Sequence, residues 1–164
     1  MELKANILRI ERLSLSDGKG MRTVVFFKGC PLRCAWCSTP ESQSGQREVY
    51  YMKERCIGCG ACIRVCPAQA LRRSEKAGEI VRDHSRCKQC FQCVDACNYR
   101  AQQIYGKEMT VKEVMRELQK DEMFFFYSDG GVTLSGGALF CQTDFAEALL
   151  EACDDACINA AAEL

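Results

Sequence analysis

The chain has 164 residues, and its 22 basic and 22 acidic side chains cancel to a formal net charge of zero. This balance gives no charge excess with which to bind a nucleic acid or a lipid surface. The N-terminal segment lacks an apolar core of signal-peptide length, and no apolar stretch is long enough to cross a bilayer. We therefore expect a soluble, cytoplasmic protein with no membrane partner.

Cysteine is the unusual component, with fourteen in the chain. In a reducing compartment such cysteines more often bind metal than form disulfides. Eleven of them fall in three short segments, which are Cys30–Cys37, Cys56–Cys66 and Cys87–Cys97. The other three are interpreted as small apolar packing residues, with a fourth ligand set as the alternative; they are Cys141, Cys153 and Cys157.

The first predicted element is a strand from Arg22 to Lys28, which is rich in β-branched and aromatic residues and leads directly into Gly29 and Cys30. Such a run is typical of a buried parallel strand. Residues 49–100 show neither helical nor strand periodicity. The halves of this stretch, Cys56–Pro67 and Cys87–Asn98, repeat each other. The pattern predicts a small inserted domain that is held together by metal.

Regular patterning resumes with a capping box, Thr110–Glu113, which opens a helix. Met123–Tyr127 is expected to pack between helix and strand. A short strand and a glycine turn follow at Gly130–Gly137, and a second capping box, Asp144–Glu147, is expected to open another helix. A third strand is expected in Ile158–Leu164. This order predicts an α/β sheet with right-handed crossovers.

The predicted domains are 1–48 and 101–164 for the α/β core and 49–100 for the insert. About 112 residues remain without the insert. At roughly 30 residues per strand–helix–strand unit, this length accommodates about three strands, not a closed barrel. The chain is therefore expected to be incomplete.

The insert contains the bacterial ferredoxin spacing twice, first as Cys56-x2-Cys59-x2-Cys62-x3-Cys66-Pro67. In this arrangement three cysteines bind one cluster and the fourth reaches the other cluster. One [4Fe–4S] cluster is therefore assigned to Cys56, Cys59, Cys62 and Cys97, and a second to Cys87, Cys90, Cys93 and Cys66. Structural zinc is the alternative, although zinc sites more often use two cysteine pairs separated by a longer loop.

A different spacing joins Cys30, Cys34 and Cys37, and no fourth cysteine follows within a turn. Three thiolates on a four-iron cubane leave one iron open to an exogenous ligand. The Cys30–Cys37 segment comes directly after a buried strand, and open α/β sheets bind their ligands at this end of their strands.

Four phrases of the sequence resemble the radical S-adenosylmethionine (SAM) activating enzymes of glycyl radical enzymes, the group that includes pyruvate formate-lyase activase. They are Ser16–Thr23, Lys28–Cys34, Trp36–Ser42 and Gly130–Gly137. The resemblance implies an α/β fold, namely an incomplete radical SAM (β/α) partial barrel with an inserted dicluster ferredoxin-like domain. It also implies that the chain corresponds to about the first half of the family's fold.

The resemblance further implies an oxidoreductase that reductively cleaves SAM to a 5′-deoxyadenosyl radical and generates a glycyl radical on a partner enzyme. Its cofactors would be three [4Fe–4S] clusters and SAM, with flavodoxin or ferredoxin as electron donor. Cys30, Cys34 and Cys37 would bind the cluster that holds SAM. The SAM contacts would be Trp36, Gly136 and Gly137, and the contacts to the partner's glycyl loop would be Asp17, Gly18, Gly20 and Arg22.

One departure from the family separates the rival hypotheses. The family has Gly-Gly-Glu-Pro, whereas here Gly137 is followed by Ala138 and Leu139. This change favours the alternative of an iron–sulfur electron-transfer module, or an inactive fragment, that has lost SAM chemistry. A radical SAM enzyme that acts on a small molecule is a second alternative, which the family phrases disfavour.

Overall fold

The computed structural model describes residues 2–74 and 79–163. The strands are β1 Lys4–Ser14, β2 Arg22–Phe27, β3 Glu48–Tyr51, β4 Leu71–Arg73, β5 Ile80–Arg82, β6 Gln102–Tyr105, β7 Lys107–Thr110, β8 Gly131–Gly136 and β9 Ala160–Ala162. The helices are α1 Ala61–Arg64, α2 Gln92–Asp95, α3 Val111–Leu118, α4 Glu122–Ser128 and α5 Thr143–Asp155. They form two compact units, of which unit 1 comprises Met1–Gln46 and Gly106–Leu164, and unit 2 comprises Arg47–Tyr105.

Unit 1 is built on a five-stranded mixed sheet with the order β7-β1-β2-β8-β9. The predicted strands are present as β2, β8 and β9, which pair in parallel. The expected total of about three strands is wrong, because β1 pairs antiparallel with both β2 and β7. Charged residues alternate irregularly with apolar ones along β1, and two register shifts interrupt its pairing with β2, so this segment lacks the period of two that indicates a strand.

The core of unit 1 packs α3 and α5 against this sheet. All six residues of β2 are buried, as a continuous apolar strand predicts. The capping box at α3 is confirmed, since the Thr110 hydroxyl accepts from the Glu113 amide at 3.2 Å and the Glu113 carboxylate accepts from the Thr110 amide at 2.9 Å. The second capping box is wrong. A 3₁₀ turn, Leu139–Gln142, runs directly into α5, so Asp144 lies inside the helix.

The aromatic segment Met123–Tyr127 forms most of α4 but does not pack as expected. Only Phe125 is buried, whereas Met123, Phe124, Phe126 and Tyr127 are exposed. A single helical turn can direct only one of these neighbouring side chains towards the core. Within the described residues, no helix is long and apolar enough to cross a membrane.

Unit 2 contains two antiparallel strand pairs, β3 with β6 and β4 with β5, and the four-residue helices α1 and α2. Residues 49–100 therefore contain short strands although the sequence shows no strand periodicity there. These strands have only three or four residues, which is too short to show periodicity. The buried core is correspondingly small and includes two cysteines among its five residues, which are Val49, Cys62, Leu71, Ile80 and Cys93.

Candidate cluster and cofactor sites

The first cysteine segment lies in the loop that follows β2, at the carboxyl end of the parallel strands. Backbone bonds close the base of this loop, with the Gly29 amide donating to the Ser42 carbonyl at 2.6 Å and the Cys30 amide donating to the Gln43 carbonyl at 3.0 Å. Cys30, Cys34 and Cys37 are all partly exposed on this one loop. Three thiols on a closed loop, open to solvent, suit a cluster that has to meet an exogenous ligand.

Two side chains that the sequence reasoning missed, one buried and one half-buried, hold this loop. Lys28 is almost fully buried at the end of β2, and its ammonium group donates to the Glu41 carbonyl at 2.6 Å. The Gln142 side chain donates to the Lys28 carbonyl at 3.1 Å and accepts from the Asn6 amide at 2.8 Å. A lysine at the end of an otherwise apolar buried strand was the available signal, since buried charges need partners.

The glycine turn assigned to SAM meets the cysteine loop at the same sheet edge. The Gly137 amide donates to the Phe27 carbonyl at 2.8 Å, and the Ala138 amide donates to the Gly29 carbonyl at 3.0 Å. Gly136 has a φ of +95°, which is a left-handed conformation that favours glycine. The structure thus brings Gly136 and Gly137 next to the residues that precede Cys30.

Trp36, the other residue assigned to SAM, lies on the loop with its side chain 86% exposed. Leu139, at the position of the family's proline, is buried in the core of unit 1, and Phe140 after it is exposed. The residues that follow the glycine turn therefore contribute to packing.

The segment assigned to the partner's glycyl loop precedes β2 and so lies at the other end of this strand, about 20 Å away for six extended residues. It rests on the sheet face that carries Thr133, whose hydroxyl donates to the Asp17 carbonyl at 2.8 Å. Gly18 and Gly20 both have positive φ values, +130° and +71°. Asp17 is half-buried and Gly18 is exposed.

Arg22 differs from the other residues of this segment because it is only 2% exposed. Its guanidinium donates to the Thr133 hydroxyl at 2.6 Å, to the Asn159 side chain at 3.0 Å and to the Val132 carbonyl. Burial lowers the pKa of Arg22. Its contacts within the chain indicate that Arg22 positions the loop.

Unit 2 gathers the remaining eight cysteines of the three segments around two cavities. Cavity A is lined by Cys56, Cys59, Cys62 and Cys97. Cavity B is lined by Cys66, Cys87, Cys90 and Cys93. In each cavity three cysteines come from one repeat and the fourth comes from the other repeat. This grouping is the same as the one expected for two ferredoxin-type clusters.

The two repeats are equivalent in backbone detail. Gly60 and Phe91, which precede α1 and α2, both have left-handed φ values of +71° and +61°. The fourth cysteine of each repeat accepts from the amide four residues later, with the Ala70 amide 3.3 Å from Cys66 Sγ and the Ala101 amide 3.2 Å from Cys97 Sγ. Amides directed at sulfur favour the thiolate form that cluster ligation requires.

The chemistry of these donors fits iron–sulfur clusters. Burial raises the pKa of the Cys62 and Cys93 thiols, so binding there has to displace protons. Across residues 2–74 and 79–163, no three His, Cys, Asp or Glu side chains lie close enough together to hold one metal ion directly. The cysteines line the cavity walls instead.

The three cysteines outside these segments have structural surroundings of different kinds. Cys153 is fully buried against Met115, and burial raises its pKa to about 11. Cys157 occupies the left-handed position after α5, with φ +57°, where glycine is usual. Cys141 is exposed. The packing role expected for Cys153 is confirmed, whereas Cys141 and Cys157 do not pack in the core.

Two family models match the chain. One is described as a 4Fe-4S dicluster domain and matches residues 48–110, and the other is described as a 4Fe-4S single cluster domain and matches residues 16–58. The first match includes all eight cysteines of cavities A and B, and the second includes the Cys30–Cys37 loop. The chain thus carries iron–sulfur cluster domains.

Curated relatives align with nearly the whole chain. The indoleacetate decarboxylase activating enzyme of Tractidigestivibacter scatoligenes is 43% identical over 99% of this chain and 54% of its own length. The choline trimethylamine-lyase activating enzyme of Oleidesulfovibrio alaskensis is 41% identical over 99% of this chain and 53% of its own. The benzylsuccinate synthase activating enzyme of Thauera aromatica is 43% identical over 87% and 44%. The chain spans about half the length of the curated relatives it matches.

These alignments confirm the resemblance inferred from the motifs: over nearly its whole length, the chain is related to the activating enzymes of glycyl radical enzymes.

Proposed function

We propose that this chain forms the cluster-binding and SAM-binding part of an activase that generates a glycyl radical on a partner enzyme. The observation that carries the proposal is the meeting of the Cys30–Cys37 loop with the Gly136–Gly137 turn at the carboxyl ends of β2 and β8. Ligand sites in open α/β sheets occur at this edge. When bound, a reduced cluster at Cys30, Cys34 and Cys37 would supply the electron that cleaves SAM.

The chain's own residues bind, orient and leave space. Cys30, Cys34 and Cys37 provide three thiolates, and Lys28 and Gln142 hold the loop that carries them. Gly136 and Gly137 present backbone without side chains beside this loop. Trp36 is exposed and free to contact the adenine side of SAM.

We further propose that unit 2 is the dicluster insert of a radical SAM partial barrel whose first strands include β2, β8 and β9. Cavities A and B would hold the second and third [4Fe–4S] clusters and pass electrons inward from flavodoxin or ferredoxin. The segment of Asp17, Gly18 and Gly20, positioned by Arg22, would contact the glycyl loop of the partner enzyme. These roles come from the relationship to the activating enzymes.

An electron-transfer module without SAM chemistry is the second candidate. Burial of Leu139 in the core favours it, because that part of the chain packs inward where the family places the end of its SAM-contacting segment. This candidate keeps all three cysteine groups and predicts bound iron without SAM cleavage.

The test begins with the iron content of the anaerobically reconstituted chain. Three four-iron clusters predict about twelve irons per chain, and alanine at Cys30, Cys34 and Cys37 together should leave about eight. SAM should then change the electron paramagnetic resonance (EPR) spectrum of the reduced chain but not that of the triple variant. A zinc-only preparation without iron-dependent absorbance would refute the proposal.

Formation of 5′-deoxyadenosine with dithionite separates the two candidates. Because the chain spans about half of its relatives, we would measure it alone and fused to the remaining half of a curated relative. We expect slow or absent cleavage by the chain alone and clear cleavage by the fusion. Full iron content with no cleavage in the fusion would favour the electron-transfer module.

A further inference from the structure

Arg82 links the two cysteine cavities of unit 2. Its side chain is half-buried and lines cavity B. One guanidinium nitrogen, Nη1, lies 3.5 Å from Cys87 Sγ, and the other, Nη2, donates to the Gln102 side-chain oxygen at 2.6 Å. Gln102 in turn lines cavity A. A hydrogen-bonded pair of side chains thus extends from one cavity to the other.

Gln102 has a spare donor. Its side chain is 2% exposed, and its amide nitrogen Nε2 has no hydrogen-bond partner in the described part of the chain. A buried donor without a partner costs about 1–3 kcal/mol, so such groups usually face a ligand or water. The acceptors that cavity A would offer are cluster and cysteine sulfurs. This orphaned amide therefore fits a sulfur-rich ligand in cavity A.

The internal repeat allows Arg82 to be compared with the residue at the equivalent position of the other repeat, which is Tyr51. Tyr51 and Arg82 each stand five residues before the first cysteine of their repeats, Cys56 and Cys87. The Tyr51 hydroxyl accepts from the Ile80 amide at 3.5 Å, and Tyr51 and Cys56 both pack against the small core of unit 2. The equivalent positions thus carry a neutral phenol bonded to Ile80, which lines cavity A, and a cationic guanidinium that itself lines cavity B.

The cysteines themselves provide no such difference. Each cavity has one buried cysteine, Cys62 or Cys93, and one exposed cysteine, Cys59 or Cys90. Ligand type and ligand burial are therefore matched between the two cavities. The charge next to the first cysteine is not.

Other cations near the cavities are weaker candidates for the same effect. Arg64 donates to the Cys59 carbonyl at 3.1 Å, and Arg73 donates to the Gly58 carbonyl. Both side chains are exposed, as is Lys88 at cavity B, so solvent and salt screen their charges. Among the cations described near the two cavities, Arg82 combines partial burial with a direct approach to sulfur.

Reduction adds one negative charge to a cluster, so donors to sulfur raise its reduction potential, and the full charge of the Arg82 guanidinium raises it more than the neutral Gln102 amide does. We propose that Arg82 gives the cluster in cavity B a higher reduction potential than the cluster in cavity A, and that the Arg82–Gln102 pair bridges the two. The proposal rests on the function proposed above, since it requires clusters in both cavities. Electrons entering unit 2 would then reside preferentially in cavity B.

The test is a potentiometric titration of the anaerobically reconstituted full chain, followed by EPR. The variants Cys59→Ala and Cys90→Ala assign the signals by removing one ligand from cavity A or B. At an applied potential midway between the two midpoint potentials, we expect the ratio of reduced to oxidised cluster to be at least tenfold higher in cavity B than in cavity A. A tenfold ratio corresponds to a difference in midpoint potential of about 59 mV for a one-electron couple. Equal midpoints, or a higher midpoint for cavity A, would overturn the proposal.

Exchanging the matched residues tests the cause. Arg82→Tyr introduces the residue that the first repeat has at the equivalent position. It should lower the midpoint potential of the cluster in cavity B, so that the ratio of reduced to oxidised cluster there falls about tenfold at the same applied potential. Arg82→Lys keeps the charge and should retain most of the difference. Arg64→Gln removes an exposed cation beside cavity A and should change either ratio less than twofold. A full iron content with an unchanged cavity B midpoint in Arg82→Tyr would refute the role of Arg82.

The two levels of proposal fail differently. Absence of iron from unit 2 in the unaltered chain would refute the clusters and this inference together. Iron in both cavities with indistinguishable midpoints would refute only the inference. Should Arg82→Tyr lose its iron, the midpoints of the two cavities in Arg82→Lys and in the Cys59→Ala and Cys90→Ala variants still decide the matter.

Discussion

Replacing Gly137 with alanine should disturb the cysteine loop without touching a cysteine. A Cβ atom added at Gly137 would lie 2.5 Å from the Gly29 carbonyl oxygen and 3.0 Å from the Gly29 nitrogen and carbonyl carbon. Favourable contacts to carbon begin at roughly 3.5 Å, so the two backbones have to separate by about 1 Å. The neighbouring atoms are all backbone, and no side chain can move aside to relieve the clash.

We expect this overpacking to lower the free energy of unfolding of unit 1 by about 1–3 kcal/mol. Because Gly29 directly precedes Cys30, the same movement displaces Cys30 relative to Cys34 and Cys37. Cluster ligation tolerates little misplacement, so the iron held by this loop should fall. Urea unfolding followed by circular dichroism measures the first effect, and iron content after anaerobic reconstitution measures the second. Fluorescence of Trp36, the single tryptophan of the chain, reports on the loop itself.

Gly45→Ala is the matched control, since it adds a methyl group facing the same residue. Its Cβ would lie 4.0 Å from the Gly29 Cα atom, an ordinary contact. This variant should keep the iron content, the Trp36 emission and the urea midpoint of the unaltered chain. If Gly137→Ala matched Gly45→Ala in all three measurements, the close packing of the glycine turn against the loop would not control the site.

Two further predictions concern stability. Asp121 is fully buried, and its carboxylate accepts hydrogen bonds from Arg12 Nε at 2.8 and 2.9 Å and from the Thr23 hydroxyl at 2.7 Å. The hydrogen bond from Arg12 lowers the pKa of Asp121 below 3.8, although burial alone would raise it. Its stabilisation is therefore present above pH 3.8 and lost as pH falls through the lower folded pKa. Asp121→Asn should cost about 1–3 kcal/mol at pH 7 by urea unfolding, and an undiminished gap from the unaltered chain at pH 3 would contradict this sign. Limited proteolysis of the metal-free chain should cut first within Arg47–Tyr105, because the hydrophobic core described for this unit is small. Equal protease resistance with and without metal would contradict a metal-held unit.

The sequence was most informative where one residue type carries both the spacing and the chemistry. The groups of cysteines that line cavities A and B were predicted from spacing alone, because the ferredoxin run fixes which cysteine points away from its own repeat. Strand β2 was equally predictable, since burial on both faces leaves a continuous apolar run. The capping box at Thr110 was predicted from two side chains that bond each other's backbone.

Elements that depend on distant partners were missed. Strand β1 is held by β2 and β7, and its own residues show no clear alternation. The helix start at Thr143 is set by the preceding 3₁₀ turn, which overrides the local signal at Asp144. Gln142 supports the cysteine loop from a position more than one hundred residues further along the chain. No spacing within the sequence could have indicated that contact.

The same distinction applies inside unit 2 and explains why two similar cavities need not behave alike. The repeat duplicates the cysteines, the left-handed turns and the amide-to-sulfur bonds, because each of these is set within one repeat. Arg82 and Gln102 come from β5 and β6, and neither has an equivalent of its own kind in the other repeat: Tyr51 stands in place of Arg82, and Leu71, on β4, in place of Gln102. We therefore expect substitution at these positions to change the reduction potential of the cluster proposed for one cavity, while every cysteine stays the same.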